Sequence, residues 1–186
     1  MTTILEKDDK ASLIRLLNED KVGIFPVDTI YGLNARANEK NQEKLYEIKN
    51  RPKSKSFITL LTVSQLKASG LIVPEILYSV FPESLTVILM GKDNVTHAVR
   101  VPDDENLLSV IDETGPLFST SVNQSGSESL LEYSTILPRY EGKVDFIVRN
   151  DEIRGGLAST LVDMSRKPYR IIRQGKYDAS DLLDYS

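Results

Sequence analysis

The chain is predicted to fold as an α/β protein with a mixed sheet, and two observations predict it. Short apolar runs alternate with segments of helical period. Several strand-like runs also follow one another with no helix between them, which an all-parallel sheet does not allow. The 186 residues suit one domain spanning 1–186. A chain of that size buries about 70% of its unfolded surface and needs no staple.

Taken in order, Leu13, Ile14, Leu16 and Leu17 behind Asp8-Asp9 predict an amphipathic helix with acidic residues at its start. Residues 22–27 predict a buried strand that leaves the sheet at Pro26. Residues 28–33 then form a loop at the strand end. A helix is expected over 41–49 and a strand over 57–61. Two short helices around Gly70 fill 64–81. Strands 85–90 and 95–101 pair across 91–94. A helix follows over 105–112, a strand over 117–120 and a polar turn over 123–127. A short helix over 134–140, strands at 144–148, 159–164 and 169–173, and a last helix over 179–183 complete the chain.

Composition excludes several chemistries. The absence of cysteine rules out disulfides, thiolate metal sites and a cysteine nucleophile. With His97 as the single histidine, zinc chemistry and a protein-held metal site are not expected. The amino terminus has no basic, apolar leader pattern, and no apolar run approaches the ~20 residues of a membrane span. A cytoplasmic protein that makes no membrane contact is expected. A net charge of −4 and a pI near 5.2 argue against non-specific nucleic-acid binding by the whole surface.

Against that acidic total, residues 49–55 hold four cations in seven positions, with no acid among them. Pro52 follows Lys49-Asn50-Arg51, so the cations leave a helix for a loop, a suitable place to hold phosphate. Three other polar clusters sit at element ends. They are Asp28-Thr29 with Tyr31, Ser119-Thr120-Ser121 with Asn123 and Ser125-Gly126, and Ser159-Thr160 with Arg173 further on. Ligands gather at the carboxyl ends of strands in open α/β sheets, where hydroxyls, amides and cations bind phosphate together. Neither a Walker sequence nor G-x-G-x-x-G is present, so a nucleotide site must be of another type. Each cluster also has a plainer reading: a solvated helix end, turn and capping hydroxyls, an Asx-turn at Asp28, a core Tyr31 and a surface His97. Arg100 within an apolar strand needs an anion. Asp112 or Glu113 would serve as well as a ligand.

Together the clusters resemble the YrdC-like family. Residues 26–33 (PVDTIYGL) resemble its P-T-D/E-T-x-Y-G-L signature, and Lys49-Asn50-Arg51 its K-x-R element. Residues 81–86 resemble W-P-G-P-L-T, 96–102 T-x-A-x-R-x-P, and 119–126 S-T-S-A-N-x-S-G. Residues 159–163 resemble S-T-I/V-V-D, and 172–175 L-R-x-G. The elements stand in family order and span 26–175. Several positions depart from the pattern: Val27 stands for Thr, Phe81, Glu83 and Ser84 for Trp, Gly and Pro, Ser56-Phe57 for Pro-Leu, and Asp104-Glu105 for His-Pro.

The resemblance implies the short, single-domain form, a twisted sheet with flanking helices and a cationic concave face. It implies threonylcarbamoyl-AMP synthase activity, a nucleotidyl transfer joining L-threonine, bicarbonate or CO2, and ATP with Mg2+, and releasing pyrophosphate. Other proteins then transfer the group to tRNA. By motif match, Lys49, Arg51, Ser121 and Asn123 form the catalytic set. Arg51, Lys55, Thr96, Ser121, Ser129 and Arg173 bind ATP, and Thr29, Leu60, Arg100, Ser119 and Ser159 bind threonine. The alternative is a non-catalytic relative acting in ribosome or RNA maturation, which binds tRNA, structured rRNA or other double-stranded RNA on the cationic concave face, with Lys53 and Lys55 among its cations.

Overall fold

The computed structural model describes residues 1–28, 30–152 and 156–186. Among the described residues eleven strands form one mixed sheet around which the helices pack. The strands are β1 (Thr3–Glu6), β2 (Gly23–Pro26), β3 (Tyr31–Arg36), β4 (Ile58–Leu60), β5 (Leu71–Ile72), β6 (Leu85–Gly91), β7 (Thr96–Arg100), β8 (Leu117–Ser121), β9 (Phe146–Arg149), β10 (Thr160–Asp163) and β11 (Arg170–Arg173). Their order is β1-β9-β2-β3-β8-β4-β7-β6-β10-β11, with β5 beside β6. Pairs β1/β9, β2/β9, β4/β7 and β6/β10 are parallel. Hairpin partners β2/β3, β6/β7 and β10/β11 are antiparallel.

The helices are α1 (Lys10–Asn18), α2 (Glu39–Lys49), α3 (Val63–Ala68), α4 (Leu77–Val80), α5 (Glu105–Thr114) and α6 (Tyr133–Tyr140). Asp9, Asn38, Thr62 and Asp104 cap α1, α2, α3 and α5 by accepting the backbone N–H three positions on, which supplies the partner that a helix start lacks. Thr62 and Gln65 do so reciprocally. The carboxyl-terminal segment Ser180–Tyr185 is a 3-10 helix.

Period-two alternation along the strands sorts the core. Ile24 and Ile147 face a cluster with Leu45 and Tyr46 of α2 and Ile136 and Tyr140 of α6. Phe25, Phe146 and Val148 face the opposite way, onto Leu16 and Leu17 of α1 and Leu107, Val110 and Ile111 of α5. Val87, Leu89, Val99 and Val162 pack with Leu66, Leu77 and Leu182. The residues that alternate with these, Thr86, Ile88, Ala98 and Arg100, point to a face that no helix caps fully. Ile88 and Ala98 there are part-exposed.

Three strands differ from expectation. Residues 31–33 belong to β3, not to a loop, because Tyr31, Gly32 and Leu33 pair with Pro26, Phe25 and Ile24 in a hairpin. Strand β1 was not expected; it is a four-residue edge strand with only Leu5 buried, so its apolar signal is weak. Gly70 is followed by β5, and the expected second helix shrinks to the single turn of α4. No helix among the described residues is long and apolar enough to cross a membrane.

Candidate active site

A cavity of about 250 Å³ opens at the junction of β2, β3, β4, β7 and β8 with the segment before β10. Among the described residues its charged lining is Arg51, Arg100 and Arg173, with no carboxylate. Five serines, Ser56, Ser119, Ser121, Ser129 and Ser159, and Thr120 supply hydroxyls. Cations surrounded by neutral donors and acceptors make a receptor for anions. A cavity of about 410 Å³ elsewhere, at the starts of α1 and α5, is lined by Glu6, Asp8, Asp9, Asp104 and Glu152 with two lysines. It has the opposite character.

The sheet brings these groups together from distant positions. Ser119 and Ser121 alternate on β8, and β8 pairs with β3 so that Ser121 lies opposite Gly32. A Cβ on Gly32 would stand 2.7 Å from Asn34 Oδ1 and 3.0 Å from Ser119 Oγ, so a larger residue would close the cavity wall. Asn34 is itself tied down by bonds from its amide to the carbonyls of Phe25 and Gly32.

Arg100 is buried, and its counterion is Asp28, at 3.1 Å from Nη2 to Oδ1, rather than Asp112 or Glu113. The Asp28 side chain is wholly buried and also accepts the Asp103 N–H at 3.1 Å. The pair is ionic without hydrogen-bond alignment, and Asp28 Oδ1 and Arg100 Nε keep no hydrogen-bond partner among the described residues. Burial pushes the Arg100 pKa down, Asp28 holds it up, and Arg173 nearby pushes it down again.

Arg51 donates to the carbonyls of Ser56 at 2.9 Å and Lys55 at 3.4 Å, with its guanidinium carbon 5.3 Å from the Phe57 ring centre. That fixes the turn after α2 around one arginine. Lys55 is exposed and stands outside the cavity, next to the lining residue Ser56. Lys53 is also exposed and pairs with Glu43 at 2.7 Å. Arg173 donates twice to the Ser159 carbonyl, at 3.0 and 3.3 Å.

Lys49 is not an open phosphate cation. It is 1% exposed, and its ammonium donates to the Ser121 carbonyl and Asn123 Oδ1, each at 2.7 Å. Ser121 Oγ also donates to Asn123 Oδ1, and Asn123 Nδ2 donates to the Ser127 carbonyl. Desolvation, with the Arg51 charge adding to it, lowers the Lys49 pKa to about 8. The lysine therefore clamps the loop after β8 onto the end of α2.

Of the residues expected at the site, Arg51, Arg100, Ser119, Ser121, Ser129, Ser159 and Arg173 line the cavity. Lys49 and Asn123 brace its wall from behind. The Leu60 side chain does not reach it, because that side chain is fully buried with Leu107, Val110 and Leu117. Thr96 lies four residues before Arg100 on the same face of β7, about 13 Å away at the strand rise, and is exposed outside the cavity. Thr29 lies outside the described residues. Tyr31 serves the fold, its hydroxyl donating to the carbonyls of Val148 and Asn150 and accepting the Asn150 N–H. Of the departures, Val27 lines the cavity, Phe81 is core and Asp104 is the α5 cap. Sequence reasoning assigned no role to Thr86, although it stands within the 81–86 motif.

A family model described as telomere recombination, covering Sua5, YciO and YrdC, matches residues 15–175. The chain belongs to the Sua5/YciO/YrdC family. Among its relatives, the threonylcarbamoyl-AMP synthase of Pyrococcus abyssi is 30% identical over 175 residues, which cover 86% of this chain and 52% of that protein. The enzyme of the same name from Bacillus subtilis is 30% identical over 182 residues, 89% of this chain and 53% of that protein. The chain thus spans about half the length of these curated relatives. The solved structure of P. abyssi Sua5 complexed with L-threonine superposes with a TM-score of 0.84 at 25% identity, covering 99% of this chain and 60% of that one. Six of the seven cavity residues, all but Ser129, stand in the motifs on which the resemblance rests.

Proposed function

We propose that this chain is an L-threonylcarbamoyladenylate synthase. It joins L-threonine, bicarbonate or CO2, and ATP into threonylcarbamoyl-AMP and releases pyrophosphate. The observation that carries this reading is the cavity itself, three arginines with five serines and Thr120 and no carboxylate among the described residues, most of them drawn from the family motifs.

The chemistry suits such a lining. The threonine amine adds to CO2, loses a proton and becomes a carbamate. A carbamate oxygen attacks the α-phosphorus, and pyrophosphate leaves. Two anions must meet, so charge neutralisation and positioning carry the reaction, and no protein nucleophile is needed. In this reading Arg51 and Arg173 neutralise phosphates, with Lys55 at the rim, while Ser121 and Ser129 donate hydrogen bonds. Arg100, Ser119 and Ser159 hold the amino acid, and Thr29 joins them by motif. Thr96 meets the far end of a nucleotide lying along β7. Lys49 and Asn123 keep Ser121 in place.

Mg2+ enters with the nucleotide. The described residues hold no group of three or more His, Asp or Glu side chains able to bind a metal, and Asp28 is already paired to Arg100. Phosphate oxygens and water are its ligands in this reading. We place the reaction in the cytoplasm, with tRNA and the threonylcarbamoyl-transferring proteins downstream.

Purified protein incubated with labelled threonine, bicarbonate, ATP and Mg2+ should yield labelled threonylcarbamoyl-AMP and pyrophosphate in a rapid-quench readout. ATP binding with no product under these conditions would overturn the proposal.

A further inference from the structure

Behind the cavity wall three buried side chains form a chain of polar contacts. Arg100 Nη1 lies 3.5 Å from Thr86 Oγ1, and Thr86 Oγ1 lies 2.7 Å from Ser159 Oγ. Thr86 and Ser159 are 0% and 1% exposed, and among the described residues neither hydroxyl has another partner.

The first member sets the direction of the chain. A guanidinium has donors only, so Thr86 must turn a lone pair toward Arg100. The 3.5 Å contact is long for a hydrogen bond, but a charge orients a neighbouring hydroxyl dipole strongly where water is excluded. Thr86 has one proton, and its remaining neighbour is Ser159 Oγ. That proton goes to Ser159, so Ser159 accepts there and its own proton is turned away from Thr86. Ser159 lines the cavity, so its proton is available to a ligand. The opposite order, with Ser159 donating to Thr86, would leave the Thr86 proton facing the guanidinium or buried without a partner, which is unfavourable. Arg173 and Gly175 hold the Ser159 backbone in place. Arg173 donates to the Ser159 carbonyl, and Gly175 admits an approach to Ala158 and Ser159 that no Cβ would allow.

We propose that Thr86 is a positioning residue that makes Ser159 a hydrogen-bond donor toward the substrate carboxylate, which lies between Ser159 and Arg100. The inference rests on reading the cavity as an amino-acid subsite. It gives the subsite a polarity: an acceptor belongs beside Ser159, and the ammonium of the amino acid points away from it, because donors would otherwise face donors. Thr86 thus contributes to specificity without touching the ligand.

Calorimetric titration with L-threonine, with L-threoninol (an alcohol in place of the carboxylate) and with ATP tests it. The wild-type protein should bind threonine more tightly than threoninol. Thr86→Val should weaken threonine about tenfold, the loss of one charge-assisted hydrogen bond, and leave threoninol and ATP unchanged. Thr86→Ser should restore wild-type binding. Ser159→Ala should reproduce the Thr86→Val pattern, and the double variant should be no worse than either single one; lost packing would not give that coupling. If Thr86→Val does not fold, Thr86→Ser and Ser159→Ala still decide the matter through the threonine-to-threoninol ratio. Equal weakening of threonine and threoninol, or unchanged threonine binding, would overturn the role of Thr86 and leave the proposed function standing. A wild-type protein that binds no threonine would overturn both.

Discussion

The ammonium of Lys49 lies 2.7 Å from the side-chain oxygen of Asn123, and no carboxylate of the described residues pairs with it. The K-x-R and S-x-N elements of the family are thus one structural unit here. The lysine at the end of α2 holds the asparagine that holds Ser121. Its charge is spent inside the protein, and Arg51, two residues on, is the cation that reaches the cavity.

That burial predicts a pH dependence of stability. The Lys49 pKa is about 8 in the folded protein and about 10.4 in an unfolded chain. Between those values the unfolded state binds more protons, so the lysine makes stability rise with pH. The gain begins near pH 8, is complete above the unfolded pKa, and has a ceiling of roughly 3 kcal/mol at 1.36 kcal/mol per unit. Urea midpoints between pH 7 and 10.5 should move in favour of the wild type relative to Lys49→Met. A difference that stays flat over this window would contradict the buried ammonium.

Arg51→Ala should weaken ATP binding about 10- to 100-fold, the range for one or two charge-assisted hydrogen bonds. Arg51 is half-buried at the cavity edge, and its partners are exposed or half-exposed backbone of the following turn, so the fold should survive. Threonine affinity should change little. Nucleotide titration and a thermal melt check the two halves, and unchanged ATP affinity would remove Arg51 from the phosphate site.

Much of this was legible in the sequence. The apolar run at 22–27, the acidic start at Asp8-Asp9 and the helical spacing over 41–49 and 105–112 are local signals, and the elements they mark lie where expected within a few residues. Strand β3 was not legible, because residues 28–33 read as a loop at the strand end and 34–36 carry no apolar run. They form a strand because β2 and β8 flank them and Asn34 finds buried partners. At the site, motif order supplied the residue list but not the depth of each side chain. Nothing in K-x-R tells which cation is buried, and nothing near Leu60 tells that α5 covers it. The Arg100–Asp28 pairing joins positions 72 residues apart and exists only once the segment after β2 reaches the end of β7, with three strands between them in the sheet order.

That pairing is the next point of attack. Asp28→Asn keeps the shape but leaves the Arg100 charge buried without its counterion, a change that costs about 3–5 kcal/mol in comparable pairs. The variant should show a clear drop in denaturant midpoint. Adding Arg100→Met should recover much of the stability, because no uncompensated charge remains, yet threonine binding should stay lost. Recovery of threonine binding in the double variant would show that Arg100 does not hold the ligand.

The final prediction concerns two glycines that differ only in their surroundings. A Cβ on Gly175 would stand 2.2 Å from the Ala158 carbonyl oxygen and 2.5 Å from the Ser159 carbonyl carbon. Both are backbone atoms that a rotamer change cannot move. Gly175→Ala should therefore push the 158–159 segment away from β11, lengthen the Arg173–Ser159 contact and destabilise the fold by about 1–3 kcal/mol. Because Ser159 moves with that segment, threonine affinity should fall more than in Arg51→Ala. At Gly156 the nearest side-chain atom to an added Cβ is Leu131 Cδ1 at 3.8 Å, an ordinary contact, so Gly156→Ala should match the wild type. Parallel melts and threonine titrations of the two variants separate a backbone clash beside the cavity from a general sensitivity of glycine positions. Equal behaviour of the two would mean that Gly175 does not set the position of Ser159.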